Sequence, residues 1–161
     1  MERADRNYLH LLAIDLEEKR QTIELTKDIY TIGRSPQCSI FIDYQIISRH
    51  HATLIRTKNK DDRLFGYSIL DGNLNGKKSL NGIFVNGTYQ LSCQLKDGDI
   101  ILFDNCIMSE VPIKIKYFVV AINEADSSLN LDRNETSEIR LKKENYKETI
   151  LKVRDFWDEL V

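Results

Sequence analysis

The sequence predicts an all-β fold, an antiparallel β-sandwich or barrel, followed by a C-terminal α-helix. Three features predict it. Short apolar segments alternate with polar residues, Asn-Gly and Asp-Gly pairs punctuate them, and one stripe of helical period is confined to the C-terminal end. At 161 residues the chain has room for one domain with its own core and an appendage.

The strand candidates are residues 8–15, 28–33, 39–42, 51–57, 65–71, 83–86, 99–103 and 113–120, all rich in Ile, Val, Leu, Tyr and Phe. Ile40 with Ile42, and Ala52 with Leu54, stand two residues apart, which puts each pair on one face of a strand. Asp71-Gly72, Asn75-Gly76, Asn81-Gly82, Asn86-Gly87 and Asp97-Gly98 lie between segments. Both residues of such pairs tolerate positive φ at low steric cost, which suits hairpins. Short strands with regular turns leave loops at the ends of the sheets, where recognition sites are built.

The character changes at about residue 124. Residues 124–138 are polar and acidic without a sustained period, the composition of a linker. Beyond them Tyr146, Ile150, Val153, Trp157 and Leu160 follow at spacings of three and four, the apolar stripe of a helix, with Asn145 and Glu148 as a capping pair. The expected division is a β domain over 1–123, a linker over 124–138 and an amphipathic helix over 139–161. Two uses of that helix are open: packing on the β domain, or binding a partner or second copy, since Leu151 and Phe156 widen its apolar surface.

Charge and cysteine usage exclude several classes. A formal charge of −2 gives no global pull toward nucleic acid or an anionic membrane, so any anion binding is local. Cys38, Cys93 and Cys106 are odd in number and far apart, which reads as reduced thiols. The charged start, Met1-Glu2-Arg3-Ala4-Asp5-Arg6, leads into no secretory h-region, and the longest apolar run, Tyr117 to Ile122, is too short to span a bilayer. A cytoplasmic setting is the expectation.

The chemistry-bearing residues form three loop groups: Gly33-Arg34, Ser48-Arg49-His50-His51 and Ser79-Leu80-Asn81-Gly82. A guanidinium, a hydroxyl and a carboxamide are the groups that hold a phosphate and the chain carrying it, because charge-assisted hydrogen bonds are the strong ones. Ser48 and His51 lack an orienting acid and an oxyanion loop of recognisable type. Asn75-Gly76-Lys77-Lys78 has neither the spacing nor the following helix of a nucleotide loop, and the Asp residues do not form a calcium loop. A binding function without catalysis, metal or cofactor is expected.

Four ordered segments carry a family resemblance: Tyr30-Thr31-Ile32-Gly33-Arg34-Ser35, Ile47-Ser48-Arg49-His50-His51-Ala52, Ser79-Leu80-Asn81-Gly82-Ile83-Phe84-Val85-Asn86-Gly87 and Leu95-Lys96-Asp97-Gly98-Asp99. Over roughly residues 8–120 the chain resembles forkhead-associated (FHA) domains, and as a whole it is similar to small bacterial FHA proteins with a C-terminal helical extension. The resemblance implies an eleven-stranded β-sandwich that recognises phosphothreonine peptides as an adaptor in Ser/Thr kinase signalling. It implies a phosphate contact for Arg34, a hydroxyl contact for Ser48, a neighbouring contact for Arg49 and a hold on the peptide backbone for Asn81, with Ser79 and Leu80 in the same segment. His51 is then an interloop brace and His50 points the other way. Gly33 allows a tight turn, while Gly82, Asn86 and Gly87 shape a hairpin.

Two departures stand out. Leu80 occupies a position where the family commonly has Thr or Ser, so one donor is lost or replaced by backbone. The 72–78 segment is longer than the family's compact loop, and it brings Lys77 and Lys78 as auxiliary phosphate contacts. Leu80 also favours an alternative, a phosphate-independent scaffold using a sheet face or the C-terminal helix, with homodimerisation through that helix. Thr136, in the acidic segment, is a candidate phosphosite for an FHA site of the same chain or of a second copy.

Overall fold

Eleven short strands make up a computed structural model that describes residues 8–16, 19–58, 64–104 and 113–121, with Arg154, Asp155 and Asp158. They are β1 (Tyr8–Leu16), β2 (Lys19–Glu24), β3 (Ile29–Gly33), β4 (Ile40–Phe41), β5 (Ala52–Lys58), β6 (Phe65–Asp71), β7 (Ile83–Val85), β8 (Thr88–Gln90), β9 (Ser92–Gln94), β10 (Ile100–Leu102) and β11 (Lys114–Ala121). They form a six-stranded sheet, β2-β1-β11-β10-β7-β8, and a five-stranded sheet, β4-β3-β5-β6-β9.

Alternation decides which side chains enter the core. On β11, Ile115 and Tyr117 are buried while Lys114 and Lys116 are not. On β6, Tyr67 and Ile69 are buried beside the half-exposed Ser68 and Leu70. These residues join Leu12, Ile14, Ile32, Leu54, Ile101 and Phe103 in one cluster drawn from both sheets. Burying each large aliphatic or aromatic side chain contributes about 1.5–3 kcal/mol, which is what holds the two sheets face to face.

The strands that the sequence pattern does not reveal, β2, β8 and β9, all lie at sheet edges. An edge strand has one neighbour and carries charged or polar side chains that discourage further pairing, so the apolar alternation fades. β2 reads Lys-Arg-Gln-Thr-Ile-Glu for that reason. The expectation of purely antiparallel pairing also needs correcting. Ile32 and Gly33 of β3 pair in parallel with Ile40 and Phe41 of β4, because the chain turns back through residues 34–39 with Cys38 N–H donating to Ser35 O at 3.0 Å.

The chain divides into two compact units, His10–Val119 and a second made of Met1–Leu9 with Val120–Val161. The first contains the sandwich. Within the second, Arg154, Asp155 and Asp158 have helical backbone, and Arg154 Nε lies 3.8 Å from Asp158 Oδ2 one turn on. The 124–138 segment, Thr136, Cys106 and the apolar stripe from Tyr146 to Leu160 lie outside the described residues. The described residues therefore support neither a C-terminal helix as a defined element nor a homodimer built on one. Among them no helix is long and apolar enough to cross a membrane.

The Asn86-Gly87 hairpin forms as its sequence requires. Both residues have positive φ, 51° and 80°, and Val85 faces Thr88 across the turn. The Asn86 side chain also ties the hairpin to β10, accepting from Ile100 N–H at 2.9 Å and donating to Asp99 Oδ1 at 2.8 Å. Asn86→Ala loses both bonds and puts in the left-handed region a residue without the local polar side chain that lets Asn tolerate it, so urea unfolding should show a loss of about 1–3 kcal/mol. An unchanged midpoint would show that the turn does not depend on that side chain.

Candidate functional site

The loops at one end of the sandwich are joined by backbone before any side chain acts. Beyond the β3–β5 ladder the pairing continues out of regular strand: His51 N–H donates to Ile32 O at 2.7 Å, Arg34 N–H to Ser48 O at 3.0 Å and Ser35 N–H to Arg49 O at 3.0 Å. Arg34, Ser48 and Arg49, distant in sequence, thereby share one rim.

Gly33 is needed there because of a close approach and not because of a turn. Its φ is not positive, but a Cβ on it would lie 2.3 Å from the Arg49 carbonyl oxygen. The same carbonyl accepts from the Cys38 thiol at 3.2 Å, so the backbone of Arg49 is held from three sides.

Two adjacent carbonyls set the binding side chains. Arg34 Nε–H donates to Ile47 O at 3.1 Å, and Asn81 Nδ2–H donates to Ile46 O at 2.9 Å. Among the described residues the two terminal nitrogens of the Arg34 guanidinium keep their donors, as Asn81 keeps its Oδ1 and a second N–H. Ile47 is fully buried, which fixes the carbonyls that orient both groups. Sequence reasoning missed this strut; an apolar Ile46-Ile47 pair inside a polar loop is the signal that marks it.

Ser48 and Leu80 form the contact between the other two loops. Leu80 N–H donates to Ser48 Oγ at 2.9 Å, which leaves the hydroxyl proton of Ser48 to be donated elsewhere. The Leu80 side chain is 88% exposed and takes no part. The backbone thus supplies the interaction at this position, whatever the side chain.

Ser79 has a different use from the expected ligand contact. Its hydroxyl donates to Asp71 Oδ1 at 2.5 Å and accepts from Gly82 N–H at 2.9 Å, while its own N–H reaches Asp71 Oδ1 at 3.2 Å. Both roles of the hydroxyl are spent on loop closure, around a carboxylate that is itself buried. Gly82 has φ 79°, and a Cβ on it would lie 2.6 Å from the Tyr89 ring.

His51 makes hydrogen bonds to two different loops. Fully buried, it accepts from Ser48 N–H through Nδ1 at 3.1 Å and donates through Nε2 to Gly82 O at 2.9 Å. An amide on Nδ1 and a carbonyl on Nε2 define the neutral tautomer with its proton on Nε2. Burial lowers its pKa below the usual 6.5, an effect only partly offset by the Gly82 carbonyl and by Asp71 and Asp104. His50 does not simply turn away: it lines the cleft, and its Nε2 lies 2.9 Å from Thr53 Oγ1, whose proton is given to Gly72 O.

These groups enclose an open cleft of about 550 Å³. Arg34, Arg49, Lys77 and Lys78 all line it, with Ser48 and Asn81, and no acidic residue does. Arg34, Arg49 and both lysines are solvent-exposed. Among the described residues no group of three or more His, Cys, Asp or Glu is placed to hold a metal ion.

The family model for the FHA domain matches residues 30–104, the stretch that contains every one of these cleft residues. A solved Synechocystis structure, the Slr1951 protein, is 34% identical, with a TM-score of 0.58 over 68% of this chain and 96% of that one. The chain belongs to the FHA-domain family. FHA domains are phosphothreonine-binding modules, protein-interaction domains by family character. An uncharacterised Synechocystis protein, sll1895, is 40% identical over 93 residues, 58% of this chain. This FHA chain spans only 13% of that relative's length. A structure from work on phosphothreonine-dependent FHA domain interactions shares the fold, with a TM-score of 0.51 at 22% identity over 68% of this chain and 95% of that one.

The histidines make stability depend on pH with a definite sign. Burial lowers the pKa of each of the three, His10, His50 and His51, so the unfolded chain takes up protons first as pH falls below 6.5. Their contribution is complete above that pH and is lost as pH falls through the folded pKa values, with a slope of at most about 1.4 kcal/mol per pH unit for the buried His51 and less for the more exposed His50. Urea unfolding at pH 7.5 and pH 5 should show the lower pH to be less stable. Equal midpoints would mean that the folded histidines take up protons as readily as the unfolded chain does.

Proposed function

We propose that this chain binds phosphothreonine peptides through the cleft at the 34, 48–49 and 81 loops, as a non-catalytic adaptor. The observation that carries the reading is the Arg34–Ser48 pair: a guanidinium held by Nε with its terminal nitrogens uncommitted, beside a hydroxyl whose oxygen is already satisfied and whose proton is not. Such donors suit a dianionic phosphate, with Arg49 adding charge at the same rim. The free Oδ1 and N–H of Asn81 suit the ligand backbone beside the phosphoresidue.

Leu80 does not argue for a degenerate site, because it is the Leu80 N–H that orients Ser48. Cytoplasmic Ser/Thr kinase signalling is the setting that this reading proposes, with a phosphorylated protein as the partner.

Titration of phosphothreonine peptide libraries against the full chain tests it. Arg34→Ala should weaken binding of the selected peptide by roughly 1.5–3 kcal/mol, the range for hydrogen bonds to a charged group. The unphosphorylated peptide should not bind. Binding indifferent to both the phosphate and Arg34 sinks the reading in favour of a phosphate-independent scaffold.

A further inference from the structure

The cleft carries more positive charge than one phosphate needs. Arg34 and Arg49 together match a phosphate dianion, yet Lys77 and Lys78 line the same space, with no carboxylate among the lining residues. This concentration is local, since the whole chain has a formal charge of −2. No ion pair engages either lysine among the described residues.

The lysines also stand on a loop that is built to hold them. Asn73 Oδ1 accepts from the N–H groups of Asn75 and Lys77, each at 3.0 Å. Asn73 N–H donates to Lys77 O at 2.9 Å, and Gly76 N–H returns a bond to Asn73 O at 3.1 Å. A Cβ on Gly72 would fall 1.9 Å from the Lys77 carbonyl oxygen, so the loop closes tightly against its own base. Just past Lys78 the chain is tied down again through Ser79 and Asp71. Fixed backbone on both sides limits what ordering the lysines costs on binding.

We propose that Lys77 and Lys78 form a specificity site for a second anionic group on the bound peptide, so that the preferred ligand is a phosphothreonine peptide with an additional acidic residue or phosphate. This rests on the phosphothreonine reading above. The shared chemistry is an anionic oxygen cluster within reach of two ammonium groups at the rim. Four cations facing a singly phosphorylated neutral peptide leave two of them uncompensated, and a second anion completes the pairing. The lysines act on selectivity, while Arg34 and Ser48 hold the phosphothreonine.

The full chain is titrated with one phosphothreonine peptide in an otherwise neutral sequence, and with two scanned series that place either Glu or phosphoserine at each flanking position. Wild type should gain about three- to thirtyfold in affinity from the anion at one or more positions, the range for two rim ion pairs. Lys77→Gln/Lys78→Gln should abolish that gain, read as the ratio of anionic-peptide to neutral-peptide affinity within the same variant, and Lys77→Arg/Lys78→Arg should restore it. A gain confined to the Glu series identifies an acidic residue as the second group, and one confined to the phosphoserine series identifies a second phosphate. No gain at any position, or a gain that survives in the Gln variant, overturns the proposal while Arg34-dependent binding of the neutral peptide leaves the parent reading standing. Absence of all phosphate-dependent binding overturns both.

Discussion

The buried imidazole of His51 is the contact on which the rest of the site depends. It joins Ser48 N–H on one loop to Gly82 O on another through its two ring nitrogens. Because it is fully desolvated, either partner's loss leaves a polar group unsatisfied in the interior, so the two loops move together or not at all. Ser48 and Asn81 are each one step away from it, and the Leu80 N–H to Ser48 Oγ contact closes the same circuit from outside. A buried brace thus sets the spacing between the polar groups that line the cleft.

The cleft divides its work between buried structure and exposed charge. Asp71, Ser79, Thr53 and Gly72 spend their hydrogen bonds on one another and on neighbouring backbone. The cations stay at the rim, where water keeps their cost low in the free protein. Attraction there is salt-dependent and modest per group, and it steers association more than it fixes a pose. Arg34 and Asn81 are instead held in place by their anchoring to the Ile47 and Ile46 carbonyls, which on the proposed reading removes freedom before a ligand arrives.

Much of the fold was legible because burial imposes period two on a strand. Ile40, Ile42, Ala52 and Leu54 are all fully buried or nearly so, as their spacing requires. β2, β8 and β9 were not legible, since an edge strand answers to solubility and not to core packing. In the site, Arg34, Ser48, Arg49 and Asn81, drawn from the motif segments, line one cleft with Lys77 and Lys78, which come from the segment that departs from the family pattern. The tie of Ser79 to Asp71 was not legible, because a carboxylate eight residues away in sequence is indistinguishable from a surface one until the loop closes.

The sequence by itself determined the β architecture, the family and the identity of the polar groups, because period, turn residues and motif order are local properties that backbone sterics and burial enforce. Only the tertiary structure decided what each group is free to do. Gly33 is required by the Arg49 carbonyl, and Ser79 is committed to Asp71. Leu80 contributes its backbone, and Lys77 and Lys78 sit on a loop closed by Asn73. Each of these follows from which donors and acceptors are already paired across loops, and such pairing exists only once distant segments are brought within hydrogen-bonding distance.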